Sequence, residues 1–404
     1  MYSRTLFVHF LYICEMIKRK LEKKLIELSE LFPVITVTGP RQSGKTTLVK
    51  ATFPEHDYVT LEDPDTNELA LSDPRKFLTD RKKGLIIDEA QRAPELFSYI
   101  QGIVDKADKP GAFILTGSQN FLLMEKISQS LAGRVAILKL LPLSLEELKN
   151  TKFDVKDADK LIFRGMYPRL YQKKIKPTDF YPFYTQTYIE RDVKLVRNIV
   201  NQSAFTRFIK LCAGRIGQLL NISELANTSG INQRTITSWL SILQAGYIIY
   251  FLEPHHKNYN KRLVKMPKLY FYDTGLACSL SGIKRQEQLV QHFNYGSLFE
   301  NFIINEFYKH AYNNGETPEN YFWRDKTGKE IDLIVENGNM IFPIEIKGGR
   351  TFSNDFFKNL NYWNKLSGKN PENAWIVYGG NKTFELAQGT VLSWKELERV
   401  LSNI

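Results

Sequence analysis

The sequence predicts a multidomain α/β protein whose first unit is a three-layer parallel sheet, and three observations carry that expectation. An apolar run, VITVT (34–38), leads into GPRQSGKTT (39–47) and then into helix-forming sequence. A second run ends on paired acids in GLIIDEAQ (84–91), and a third ends on polar residues in FILTGSQN (113–120). Strands that alternate with helical stretches in this way build a parallel sheet covered on both faces. The chain of 404 residues has room for two to four domains, at ~100–200 residues each. A composition that is 43% hydrophobic and 25% charged excludes a disordered chain.

The N-terminal run LFVHFLYICEMI (6–17) is apolar but contains Glu15. It is too short to span a bilayer and lacks an Ala-x-Ala cleavage site. We expect Met16 to be the native start and residues 1–15 an upstream extension, with a membrane-touching segment as the alternative. From Met16 the stripe Ile17, Leu21, Leu25, Ile26 and Leu28 reads as one amphipathic helix, which Pro33 ends. The cysteines Cys14, Cys212 and Cys278 give neither a disulfide framework nor zinc spacing, and a reducing compartment fits best.

GPRQSGKT between a strand and a helix is the P-loop in its required context. Gly39, Pro40, Arg41, Gln42, Ser43, Gly44, Lys45, Thr46 and Thr47 are the candidate nucleotide-binding residues. The glycines let backbone N–H groups face phosphate oxygens, and the helix N-terminus adds positive potential. Lys45 can reach the β- and γ-phosphates, and the Thr46 hydroxyl can ligate Mg2+. Asp88 would hold the same ion through its water shell, and Glu89 would polarise the attacking water. No guanine-reading Asn-Lys-x-Asp is evident. Ser118 and Asn120, at the end of the third strand, are candidates to orient the water, with turn-capping as the other reading. Arg134, in SLAGRVAIL, could neutralise transition-state charge in cis or from a neighbour, or sit in a surface ion pair. Strands around 58–61 and 135–140 complete the block, which ends near Pro142.

Residues 143–217 read as helical, with SLEEL as a capped start. The aromatics of FYPFYTQTY (180–188) are expected to be helix-packing core, though such residues can also stack bases. Arg191 and Asp192 interrupt the apolar helix that follows. Residues 222–250 then read as a short helix from Ser223, a turn at Gly230, and a longer helix from about Gln233 to Ala245, a helix-turn-helix pattern. At the start of its second helix Asn232, Gln233, Arg234 and Thr237 would be exposed toward DNA, with Ile236, Trp239, Leu240 and Leu243 as core. Lys257, Lys261, Arg262, Lys265 and Lys268 lie between two strand-like runs, as in the basic wing of a winged helix. Docking of protein rather than DNA is the alternative. The net charge of +11 is compatible with nucleic acid, or with a merely soluble basic protein.

In the last block Asn337-Gly338 between two apolar runs signals a hairpin. A two-residue loop pairs 336 with 339 and 332 with 343, so Asp332, Glu345 and Lys347 share one face. Two carboxylates and a lysine there could hold a second divalent metal, with Glu300 on the preceding helix adding a ligand. An exposed hairpin whose acids pair with lysines is the other reading.

The Asp-x(12)-Glu-Ile-Lys pattern resembles the core of the PD-(D/E)xK nucleases. With GPRQSGKTT, LIIDEAQ, ILTGSQN, LAGR, PLS, YIERDV and EIDLIVENGNMIFPIEIK in this order, nearly everything after Met16 resembles a prokaryotic family of AAA-type ATPases. Its members join a P-loop ATPase to a winged helix and a restriction-endonuclease-like domain. The resemblance implies ATP as the nucleotide and a cytoplasmic location; Mg2+ beside it, DNA as partner, and a homo-oligomer or a protein partner are expectations from the residues themselves. The expected fold class is α/β multidomain: a P-loop NTPase three-layer parallel sheet (16–142), a helical segment (143–217), a winged helix (218–280) and a restriction-endonuclease-like α/β domain (285–404). The expected function is a DNA-coupled ATPase. A nucleotide-switched interaction module and an ATP-gated nuclease are the alternatives.

Overall fold

The computed structural model describes residues 16–79, 83–107, 109–118, 130–189, 201–255, 264–368 and 373–404. Residues 1–15, Asn120, Arg191, Asp192, Lys257, Lys261 and Arg262 lie outside the described residues. Among the described residues no helix is long and apolar enough to cross a membrane.

Five strands form the first sheet: β1 (Val34–Thr38), β2 (Asp57–Thr60), β3 (Leu85–Asp88), β4 (Phe113–Gly117) and β5 (Val135–Lys139). All pair in parallel, in the order β2-β3-β4-β1-β5. Because side chains alternate across a strand, each strand feeds two cores. Ile35, Val37, Ile86 and Ile114 pack with Leu21, Leu25, Leu48 and Val49 on one face. Val34, Leu85, Ile87 and Leu115 pack with Phe97, Ile100 and Val104 on the other. The three-layer expectation holds. The first helix is shorter than its apolar stripe suggests and runs over Leu21–Ser29. Ile26 is exposed there. Residues 17–20 stay outside the helix because the Lys20 N–H and the Arg19 side chain are tied to Glu147.

The middle of the chain is helical, as expected. Ser144 and Glu147 form the reciprocal capping box of SLEEL. Tyr167, Phe180, Tyr181, Tyr184 and Tyr188 stack into one buried aromatic cluster, so the FYPFYTQTY aromatics that are buried serve packing. The helices Ile222–Ser229 and Gln233–Ala245 flank Gly230, whose φ of 71° gives the left-handed stop that a Cβ would disfavour. Asn221 and Asn232 cap them. Ile236, Trp239, Leu240 and Leu243 are buried, with Trp239 against Phe205 and Phe208.

The second sheet has eight strands in the order β12-β13-β11-β10-β9-β8-β6-β7. They are β6 (Ile249–Pro254), β7 (Lys268–Phe271), β8 (Asn320–Arg324), β9 (Glu330–Asn337), β10 (Met340–Lys347), β11 (Trp375–Tyr378), β12 (Phe384–Leu386) and β13 (Gly389–Ser393). It is mixed: β6 pairs antiparallel with β7 but parallel with β8. The two strands expected as a wing are thus the edge of the C-terminal sheet, and the boundary expected near residue 280 has a shared sheet on both sides of it. The outer edge of β7 is covered by residues 217–220 and by Asn301, which donates to the Phe271 carbonyl and accepts from its N–H, each at 2.9 Å. Helix Tyr295–Asn313 shares a core with one face through Phe299, Phe302, Leu333 and Ile344. Helix Lys358–Ser367 covers the other through Leu360 and Trp363.

Candidate functional site

The P-loop follows β1 and enters helix Lys45–Thr52. Gly39 has a φ of 144°, and a Cβ there would lie 2.2 Å from the Leu140 carbonyl oxygen, so only glycine lets the loop leave the sheet here. Lys45 Nζ crosses the loop and donates to the carbonyls of Gly39 and Pro40, both at 2.9 Å. Burial pulls the Lys45 ammonium down to about 8, against the opposing pull of Glu89 and Asp88. Thr46 Oγ1 donates to Asp88 Oδ2 at 2.9 Å. Tyr58 donates to the same oxygen at 3.0 Å, and Thr116 donates to Oδ1. The Tyr58 phenol is pushed up to about 12, first by burial and then by the Asp88 carboxylate. Tyr58 and Thr116 are not evident from motif reading. The parallel register is the signal for Thr116, which follows the Leu115–Ile87 pair, whereas Tyr58 starts level with Ile86 and reaches Asp88 by its length.

Glu89 follows with a left-handed backbone, φ 53°. Its Oε2 accepts from Ser118 Oγ at 3.2 Å and from Gln91 Nε2. Ser118 is therefore placed on the candidate base itself. Arg41, Gln42, Gly44, Lys45, Thr46 and Thr47 line a cleft of about 760 Å3 that Glu89 also faces. Its far wall is helix Pro168–Gln172 and the residue after it, which bring Arg169 and Lys173 to the cleft. Pro40 and Ser43 belong to the loop's back. There buried Arg19 donates to the Ser43 carbonyl at 2.5 Å, to the Leu141 carbonyl at 2.6 Å and to Glu147 at 3.0 Å. Arg19, Arg169 and Lys173 carry no motif signal, and only the fold brings them to the loop.

Arg134 lies just before β5, which runs parallel to β1 with Val135 opposite Val34 and Lys139 opposite Thr38. That puts it at the end of the sheet away from the loop, roughly 13 Å of strand distant at ~3.3 Å per residue. It pairs there with Asp105. That strand direction separates Arg134 from this chain's own P-loop.

Thr46 Oγ1 and Asp88 Oδ2 lie side by side at the cleft with Lys45 behind them, and this donor set fits Mg2+ beside a nucleotide phosphate. ATP affinity is expected to fall as pH rises through about 8. The charged lysine binds phosphate, so nucleotide binding takes up a proton once the free protein has lost it. Titrations with an ATP analogue at about pH 7 and about pH 9 check this, and Lys45→Arg, which stays charged, should flatten the dependence.

The C-terminal acids come together in a register one residue from that expected on each strand. Met340 pairs with Asn337 and Ile344 with Leu333, so the turn is Gly338-Asn339. Gly338 takes the positive φ of 58°, the first-position glycine of a II′ turn. The slip moves both strands, so face parity survives and Asp332, Glu345 and Lys347 do share a face. Lys347 Nζ donates to Asp332 Oδ2 at 3.2 Å and to Glu345. Asp332 Oδ2 also accepts the Ile346 N–H at 2.7 Å. Lys268, expected as a wing cation, is instead 2% exposed. It lies 3.1 Å from Glu300 and 2.5 Å from Glu330. Tyr270 donates to Glu300 as well.

Burial raises Glu300 to about 7 despite Lys268, and burial together with Asp332 raises Glu345 well above the usual range. Burial would also raise Asp332, but Lys347 and Lys268 outweigh it and hold its carboxyl low. Among the described residues no group of three or more His, Cys, Asp or Glu side chains is placed to hold a metal ion. Lys347 neutralises Asp332 and Glu345, and Lys268 neutralises Glu300. Gln233, Arg234 and Thr237 are exposed at the start of their helix, and Lys265 is exposed before β7.

Residues 31–149 match the model of an AAA domain. Residues 155–287 and 295–397 match two domains of unknown function, DUF8612 and DUF4143. Uncharacterized protein Rv2008c of Mycobacterium tuberculosis is 30% identical over 364 residues, 89% of this chain and 79% of that protein. An uncharacterized protein of Haemophilus influenzae is 23% identical over 247 residues, 58% of each. Among solved structures, the Walker-type ATPase paby2304 of Pyrococcus abyssi is similar over 66% of this chain and 96% of that one, at 15% identity and a TM-score of 0.46. The chain belongs to the family of Rv2008c, and its first unit is an AAA-type P-loop ATPase domain.

Proposed function

We propose that the protein binds ATP with Mg2+ in the P-loop cleft, hydrolyses it, and uses the cycle to change its grip on DNA. The observation that carries hydrolysis is the convergence of Lys45, Thr46 and Glu89 on one cleft, with Asp88 hydrogen-bonded to Thr46. Mg2+, when bound, would neutralise charge on the phosphate oxygens, with Thr46 as direct ligand and Asp88 holding its water shell. Lys45 leaves the loop carbonyls for the phosphates. Glu89, held by Ser118, takes the proton of the attacking water. Arg169 and Lys173, on the far wall, can close on the phosphates from the opposite side. Arg134 faces away from its own cleft, so its contribution would be to a neighbouring copy in a homo-oligomer.

The exposed start of helix Gln233–Ala245, with Gln233, Arg234 and Thr237, supports duplex DNA as the partner, and Lys265 supports a phosphate contact. Lys257, Lys261 and Arg262, in the same basic run of sequence, belong to this reading by charge alone. The neutralised acid cluster favours a C-terminal domain that supports or docks over one that cuts. ATP-gated cleavage would require Lys347 to make room for a metal between Asp332 and Glu345.

Duplex affinity is expected to fall linearly on a log–log plot against salt, and Lys265→Ala should lower the slope by about one. ATP turnover measured with and without duplex gives the second arm. Salt-insensitive binding together with turnover unchanged by DNA would replace DNA with a protein partner.

A further inference from the structure

We propose that Tyr247 and Tyr188 are positioning residues that tie the nucleotide loop to the exit of helix Gln233–Ala245, so that phosphate binding at the loop is felt along that helix. This rests on the reading of the cleft as an ATP site and of that helix as the DNA-facing one. Helix Gln233–Ala245 ends at Gly246, and the next residue is Tyr247. Tyr247 holds a left-handed backbone, φ 55°, which a bulky aromatic residue rarely adopts unless its surroundings impose it. Its hydroxyl lies 2.9 Å from Thr38 Oγ1, and both groups are buried. Thr38 Oγ1 donates to the Leu138 carbonyl at 3.3 Å, so the Tyr247 hydroxyl is the donor to Thr38. Thr38 is the last residue of β1, directly before Gly39.

A second link reaches the same peptide from beyond the loop's first turn. The Tyr188 hydroxyl donates to the Gly246 carbonyl at 2.9 Å. The guanidinium of Arg41, a residue lining the cleft, stands 5.5 Å from the centre of the Tyr188 ring. The 246–247 peptide is thus held on one side through Thr38, just before the loop, and on the other through Arg41, within it. Phosphates in the loop compete with the Tyr188 ring for Arg41, because a charge pair outweighs an aromatic face. Loss of Arg41 from its ring would loosen Tyr188's hold on this peptide, so nucleotide would bind the held and the released peptide unequally, which is what coupling requires.

Tyr247→Phe and Tyr188→Phe remove one hydroxyl each and keep the ring packing. Wild-type protein is expected to change its duplex Kd by about 5- to 150-fold on saturation with a non-hydrolysable ATP analogue. Each variant should bring that ratio close to one while still binding the analogue and DNA separately. A merely structural role would lower melting temperature or both affinities and leave the ratio unchanged, and that result overturns the proposal. Amide hydrogen exchange over residues 233–245, with and without analogue, keeps the test independent of DNA. If wild-type protein binds no duplex yet the analogue alters exchange there, and the variants lose that response, the DNA reading fails and the tie stands. Exchange over 233–245 that ignores saturating analogue in wild-type protein overturns the tie itself.

Discussion

Glu89→Gln is expected to cut ATP turnover by about 10²- to 10⁴-fold, the usual worth of a positioned general base, and to leave nucleotide binding nearly intact. The amide keeps the volume and can still accept from Ser118 and Gln91, but it cannot take a proton from water. The left-handed backbone at Glu89 costs on the order of 1–3 kcal/mol for a residue of this kind. That strain is held by the Arg92 N–H, which donates to the Glu89 carbonyl at 3.0 Å. Steady-state phosphate release set beside equilibrium binding of a fluorescent ATP analogue separates the two effects. Turnover within a few-fold of wild type would remove Glu89 as the base. A fall in binding as large as the fall in turnover would instead make its role structural.

The second large effect is on stability. Lys268→Met leaves the half-buried Glu300 without its cation while Glu330 keeps Arg324, and breaking a largely buried pair in this way costs up to about 3–5 kcal/mol. Adding Glu300→Gln to Lys268→Met should recover much of the loss, because the uncompensated carboxylate is then gone. Denaturant midpoints for the wild type, the single variant and the double variant test this. A single variant as stable as wild type would mean that Lys268 does not hold this corner of the sheet.

Much of the first unit is legible in the sequence because its strands are uniform apolar runs and the loop between β1 and its helix is chemically specific. The helix-turn-helix pair is legible for similar reasons: Asn232, Gly230 and the stripe from Ile236 to Leu243 each fix one feature. The hairpin is half legible. Asn337-Gly338 and Gly338-Asn339 both contain a turn glycine, and they differ by one residue on each strand, which leaves the shared face of Asp332 and Glu345 intact. Lys268 is misleading in sequence because it closes a run of cations that reads as a solvent-facing wing. Its burial depends on β6 pairing with β8, some seventy residues later in the chain. Arg134 could have been placed from strand direction alone, since a residue entering β5 cannot sit beside one leaving β1. Arg19 and Tyr247 act through contacts more than twenty and two hundred residues away, and no local pattern reports those.

The joining of β6 to β8 also bears on what can be moved between proteins as a piece. The two matched regions meet between residues 287 and 295, yet a cut there would strip β8 of β6, one of its two neighbours, and open its outer edge to aggregation. Any exchange that transplants the C-terminal domain intact must carry residues 249–271 with it. The two regions are therefore expected to travel through evolution as one inherited block, whatever partners their surfaces acquire.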